Sequence, residues 1–138
     1  SDANSENIIY TGFVSDEDKT QLMKQAQTLV VPSKYESLSL VLLESFNYKV
    51  PVLANKDCIV LKDHIEESQG GITFSSYDEF SKGLNLLLYN QELRTEMGSN
   101  GFKYVQNNYI WDKVIEKFDI AISDIKSEAS KEVNNTSV

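Results

Sequence analysis

The chain has 138 residues, a formal net charge of −8, 41% hydrophobic and 25% charged residues, and one cysteine, Cys58. These values fit one soluble globular domain and exclude a general nucleic-acid binder, which needs a basic face. They also exclude an internal disulfide, leave too few Cys and His for an ordinary metal centre, and mean that any anionic ligand must be held by local features rather than by the global field.

Ser1-Asp2-Ala3 reads as an expression remnant, so residues 1–7 are set outside the fold and expected to be disordered. No signal-peptide pattern precedes Ile8 and no apolar run reaches membrane length, so the expected setting is cytoplasmic, in keeping with the lone cysteine. Asn7 to Val14 reads as a first strand ending at a glycine turn. Ser15 then looks like an N-cap, and Asp16-Glu17-Asp18 an acidic first turn favourable to the helix dipole. The same three residues spell the D-x-D of metal-dependent transferases, but at a capped helix start dipole compensation is the simpler reading.

Thr28 to Val31 is the second expected strand, stopped by Pro32, which cannot donate to a ladder. A polar loop carrying Glu36 follows, and a helix opens near Ser39 or Leu40, with Ser39 a good N-cap type. Strand, tight loop and helix start form the arrangement with which α/β proteins hold anions. Glu44 sits in this helix among Leu40, Val41, Leu42, Leu43 and Phe46, where an unpartnered carboxylate is unfavourable. Carboxylates accept from sugar hydroxyls, and the N–H groups between them suit phosphate. The pair fits a nucleotide sugar; the plainer alternative is a solvated Glu36 and a Glu44 paired with a neighbouring element.

Val50 to Ala54 is the third expected strand. Asn55 to Ser68 reads as a loop and short helix holding Cys58, Asp63, His64 and Glu66. A lone histidine on a helix reads first as structural or solvated, with general-base chemistry as the sharper alternative. A fourth strand at Gly70 to Phe74 precedes helices at about Tyr77–Leu88 and Gln91–Asn107. The last helix starts near Trp111 with an apolar stripe of Val114, Ile115, Phe118, Ile122 and Ile125, expected to pack on its own domain or to reach towards another. Residues 127–138 read as a flexible polar tail, and the sequon at Asn134-Asn135-Thr136 carries no weight without a secretion signal. Alternating strands and helices define an α/β class: a Rossmann-like, largely parallel sheet of about four strands flanked by helices.

From Pro32 to Ala54 the chain reads P-S-K-Y-E-S-L-S-L-V-L-L-E-S-F-N-Y-K-V-P-V-L-A. This resembles the group 1 signature of retaining, family 4-like nucleotide-sugar glycosyltransferases with the GT-B fold, approximately P-S-x-x-E-G-F-G-L-x-x-L-E-A-M-A-x-G-x-P-V-V-A. The two glutamates, the preceding Pro-Ser and the following Val-Pro-Val keep register. The likeness extends to Gly12-Phe13-Val14, to Asn90-Gln91-Glu92-Leu93-Arg94 and to Tyr109-Ile110-Trp111, so residues 8–126 are expected to be a partial C-terminal, donor-binding domain.

The resemblance implies transfer of a sugar from a nucleotide-sugar donor to a glycan or glycolipid acceptor with retention at the anomeric carbon. It places Glu36 at the donor-sugar hydroxyls as the catalytic-site carboxylate and Glu44 at the ribose. The N–H groups near Leu38, Ser39 and Leu40 would face the sugar and diphosphate, and Gly12, Phe13 and Val14 the base. It implies no metal and no other cofactor, and a polypeptide that is at most peripheral at a membrane.

Ser37, Leu38 and Ser39 replace the family's glycine-aromatic-glycine, Lys49 replaces a glycine, and the glycine pair expected after Ala54 is absent. The first strands of the donor domain and the acceptor domain are not represented in these residues. The chain alone is therefore expected to be inactive and open to self-association through unpaired edges. The alternative is a non-catalytic α/β module that keeps the fold for binding or assembly.

Overall fold

The computed structural model describes residues 7–135. In chain order the elements are α1 (Asp16–Gln25), β1 (Leu29–Val31), α2 (Leu40–Asn47), β2 (Val52–Asn55), α3 (Ile59–Ser68), β3 (Gly71–Phe74), α4 (Tyr77–Tyr89), α5 (Gln91–Asn108) and α6 (Trp111–Asn135). The strands form one parallel sheet in the order β1-β2-β3, with Val31 opposite Ala54 and Asn55 opposite Phe74. Every crossover is helical, as parallel pairing demands.

The sheet thus has three strands where the sequence reads as about four. The missing one is the segment before Val14, which is irregular, with Ile8, Ile9, Tyr10 and Phe13 exposed. A strand exists only where a neighbour takes its ladder hydrogen bonds, and none lies beside this segment among the described residues. Gly12 does make the expected turn, at φ 62°.

Helix starts follow their caps. Ser15 Oγ accepts from the Asp18 N–H (3.1 Å), Ser76 Oγ from Glu79 N–H (3.2 Å) and Asn90 Oδ1 from Leu93 N–H (3.0 Å). Asp16-Glu17-Asp18 accordingly forms the first turn of α1.

The core gathers β2, α2 and α3, with Leu42, Phe46, Val52, Leu53 and Leu61 fully buried. Helix α5 reaches this core closely enough that a Cβ on Gly98 would lie 2.1 Å from the Lys49 carbonyl oxygen, and one on Gly101 2.4 Å from Phe46 Cδ1. Lys49, where the resembled family has glycine, is left-handed at φ 59° and carries the strain expected of a side chain there. His64 is buried and structural: its Nδ1 lies 2.9 Å from the Tyr104 hydroxyl, which donates to Glu67 at 3.1 Å. Burial lowers the His64 pKa, against the opposing pull of Glu67 and Asp63.

At the C-terminal end, helix continues through Asn135, where the sequence reads as a fraying tail from Ser127. Of the apolar stripe of α6, Ile115, Ile122 and Ile125 are exposed and Val114 is half-buried, so those three isoleucines are left largely uncovered among the described residues. The expectations for residues 1–6, and for the sequon residue Thr136, lie outside the described residues.

Candidate functional site

Two parallel strands, β1 and β2, end side by side, and the loops leaving their C-terminal ends carry the candidate residues. In open α/β sheets this is where ligands bind. Pro32 ends β1, and the segment to Ser39 is irregular and polar. Helix α2 then begins at Leu40 with Ser39 as its N-cap, as expected.

The cap differs in detail. Ser39 has φ −78° and ψ 81°, and the Leu40 N–H donates to the Leu38 carbonyl at 2.9 Å, an inverse γ-turn. That backbone turns the Ser39 side chain away from the usual cap. Ser39 is 1% exposed and its Oγ has no hydrogen-bond partner among the described residues. Of the N–H groups expected to face a ligand, that of Leu40 is therefore already engaged. An unpaired buried hydroxyl of this kind is unfavourable by about 1–3 kcal/mol until something pairs with it.

Glu36 and Glu44 flank this helix start but line different clefts. Glu44 belongs to a cleft of about 620 Å³ between α1, α2 and the α5–α6 corner, floored by Met23, Leu38, Leu40 and Leu43. Its walls are polar, with Asp16, Lys19, Thr20, Glu44 and Asn47, and its volume is that of small-molecule sites. Glu36 belongs to a second cleft of about 530 Å³, between the loop after β1 and the loop after β2. The run from Glu36 to Leu40 passes from one cleft to the other.

Glu44 is paired. The Lys19 ammonium, from α1, lies 2.6 Å from its Oε2, an oxygen shielded from water. The contact is a close ion pair between α1 and α2. The Glu44 carboxylate holds the Lys19 pKa above its ordinary value. Both side chains are partly exposed, which keeps the pair within reach of a ligand.

Gly12, Phe13 and Val14 line neither cleft, and Phe13 is 102% exposed. The structure thus brings Leu38, Leu40 and Glu44 to the first cleft and Glu36 to the second, and leaves the Gly12 turn apart from both. Sequence reasoning missed Lys19 beside Glu44, Asp57 in the second cleft, and Asn55, whose Nδ2 donates to the Pro32 carbonyl and whose Oδ1 accepts from the Asp57 N–H. Only a polar residue closing an apolar strand, Asn55 after Val-Leu-Ala, was there to signal the loop junction.

The site is thus a parallel α/β sheet with a helix N-terminus standing between two clefts, one carrying Glu44 and the other Glu36. The chain belongs to the family of glycosyl transferases group 1, which matches residues 2–104. It is 28% identical over 109 residues to Glycosyltransferase 1 domain-containing protein 1 of Xenopus tropicalis, covering 79% of this chain and 31% of that protein. It is 30% identical over 97 residues to the alpha-D-kanosaminyltransferase of Streptomyces kanamyceticus, covering 69% of this chain and 25% of that one.

The fold is that of GT-B glycosyltransferases. WaaG, a glycosyltransferase involved in lipopolysaccharide biosynthesis, superposes with a TM-score of 0.68 at 24% identity over 83% of this chain and 31% of its own. Sucrose-phosphate synthase from Thermosynechococcus elongatus does so with 0.75 at 19% identity, over 89% and 31%. The chain thus spans a third or less of the length of each of these proteins.

Proposed function

We propose that these residues form the donor-binding part of a retaining glycosyltransferase, which moves a sugar from a nucleotide-sugar donor to a glycan or glycolipid acceptor. The observation that carries this reading is the helix start of α2 between two clefts, with one glutamate in each. The nucleoside occupies the larger cleft, where Glu44 accepts from the ribose hydroxyls. The diphosphate crosses the segment from Leu38 to Leu40, at the positive end of α2. The sugar enters the second cleft and Glu36 accepts from its hydroxyls.

When the bond from the sugar to the diphosphate breaks, negative charge gathers on the departing oxygen. A fixed helix dipole stabilises that charge without reorganising, so the reading calls on no metal. The acceptor is held by polypeptide beyond these residues, and the 138-residue chain alone does not turn over donor. Among the described residues no helix is long and apolar enough to cross a membrane. In this reading the protein works in the cytoplasm, against the membrane surface when the acceptor is a glycolipid. The outer edge of β1 has no strand partner among the described residues, which leaves it open to pairing with a second copy.

Saturation-transfer NMR with a panel of nucleotide sugars and free nucleotides tests this. One nucleotide class is expected to bind, Glu44→Ala to weaken it about tenfold or more, and Glu36→Ala to weaken only the sugar-bearing forms. Binding that neither substitution changes would sink the assignment.

A further inference from the structure

Lys19 is the one cation among the described residues that line the first cleft. Helix α1 fixes where it stands. Ser15 caps that helix, and its carbonyl accepts from the Lys19 N–H at 2.9 Å. The buried Met23 anchors the helix beside α2, as does Lys24, whose ammonium lies 5.8 Å from the centre of the Tyr48 ring. Lys19 therefore reaches Glu44 from a fixed helix rather than from a loop.

The contact engages one oxygen of the carboxylate. Lys19 Nζ lies 2.6 Å from Glu44 Oε2, which has essentially no surface open to water. The Glu44 side chain as a whole is 43% exposed, so its exposure lies on its other atoms. Oε1 is thus the oxygen left to an incoming donor. A free glutamate gives up side-chain freedom when a ligand binds it; one already held by its other oxygen has given up that freedom beforehand.

We propose that Lys19 is a positioning residue for the nucleoside: it holds Glu44 by Oε2, so that Oε1 faces the cleft and accepts from a ribose hydroxyl. This rests on the donor-site reading above, in which Glu44 meets the ribose. Lys19 acts through Glu44 and needs no contact with the ligand of its own. Its ammonium also offsets one of the two carboxylates that line this cleft, Asp16 and Glu44, so a nucleotide meets less like charge there.

Calorimetry on the 138-residue chain tests this with each nucleoside diphosphate in two forms, the ribonucleotide and its 2′,3′-dideoxy counterpart. The readout is the ratio of the two affinities, which a general change in cleft charge or in the packing of α1 leaves alone. Wild type should prefer the ribonucleotide. Lys19→Met should cut that preference about two- to tenfold, the worth of one side chain ordered in advance, and Lys19→Arg should retain most of it. Lys19→Met should also melt close to wild type, because a partly exposed ion pair contributes little to stability. Glu44→Ala should abolish the preference. A preference that Glu44→Ala abolishes but Lys19→Met preserves, or that Lys19→Arg loses as fully as Lys19→Met, would overturn the role of Lys19 while leaving the donor site standing. A preference that survives Glu44→Ala, or a wild-type chain that binds no diphosphate, would overturn the donor-site reading, and this inference with it.

Discussion

Asn55 is the side chain through which fold and site are most directly coupled, so its removal makes the most informative perturbation. Asn55→Ala deletes two hydrogen bonds, to the Pro32 carbonyl and from the Asp57 N–H. Pro32 and Asp57 are exposed, so water takes over both backbone groups and the loss is the net value of two bonds, about 2 kcal/mol. For a domain of this size that lowers Tm by about 6–10 °C. Asn55→Asp should be worse at neutral pH. It keeps the acceptor for Asp57 N–H but sets a carboxylate oxygen against the Pro32 carbonyl oxygen, two acceptors at the 3.0 Å where donor and acceptor now meet. Burial and that opposition raise the introduced carboxyl's folded pKa above its unfolded value of about 3.9. A group raised in the fold contributes stability below its unfolded pKa and loses it as pH rises through the folded one. The deficit of Asn55→Asp against wild type should therefore shrink between pH 7 and pH 5, as the protonated carboxyl begins to donate to Pro32. Urea melts of the three proteins at both pH values decide it. An Asn55→Asp chain at least as stable as Asn55→Ala at pH 7, or a deficit that does not change with pH, would refute the bridging role of Asn55 between Pro32 and Asp57.

His64 has a pKa lowered chiefly by burial, so its neutral form is the one the fold accommodates. The unfolded state binds the extra proton, and stability should fall as pH drops below about 6.5; His64→Gln should flatten this part of a urea-melt pH profile. Lys49→Gly should raise Tm slightly, by less than about 1 kcal/mol of stability, because relief of the left-handed strain outweighs the glycine entropy and the lost Lys49–Phe102 ring contact at 5.0 Å. Gly98→Ala should destabilise by at least about 1–3 kcal/mol, since the new methyl meets the Lys49 backbone carbonyl, and more than Gly101→Ala, which meets a rotatable ring. Lys19→Met should leave Glu44 without its ion-pair partner, so nucleotide titrations should show an affinity change that Glu44→Ala abolishes.

The order of helices and the three strands from Leu29 onward were legible because apolar periodicity and caps are local signals: Ser15, Ser76 and Asn90 are read from neighbours three residues away. Lys49 stands where the resembled signature has glycine, and its backbone is left-handed there. Asn7–Val14 has the composition of a strand, yet a strand needs a partner, and composition says nothing about whether one is present. The same holds for α6, whose period predicts an apolar face but not what, if anything, covers it. Spacing put Glu36 and Glu44 on either side of one helix start; only the packing of α1 and α3 around that start divided them between two clefts and brought Lys19 to one and Asp57 to the other. Chain-local chemistry is written in the sequence. Which loops meet across parallel strands depends on register, and register here is set by long-range pairing of Val31 with Ala54 and of Asn55 with Phe74.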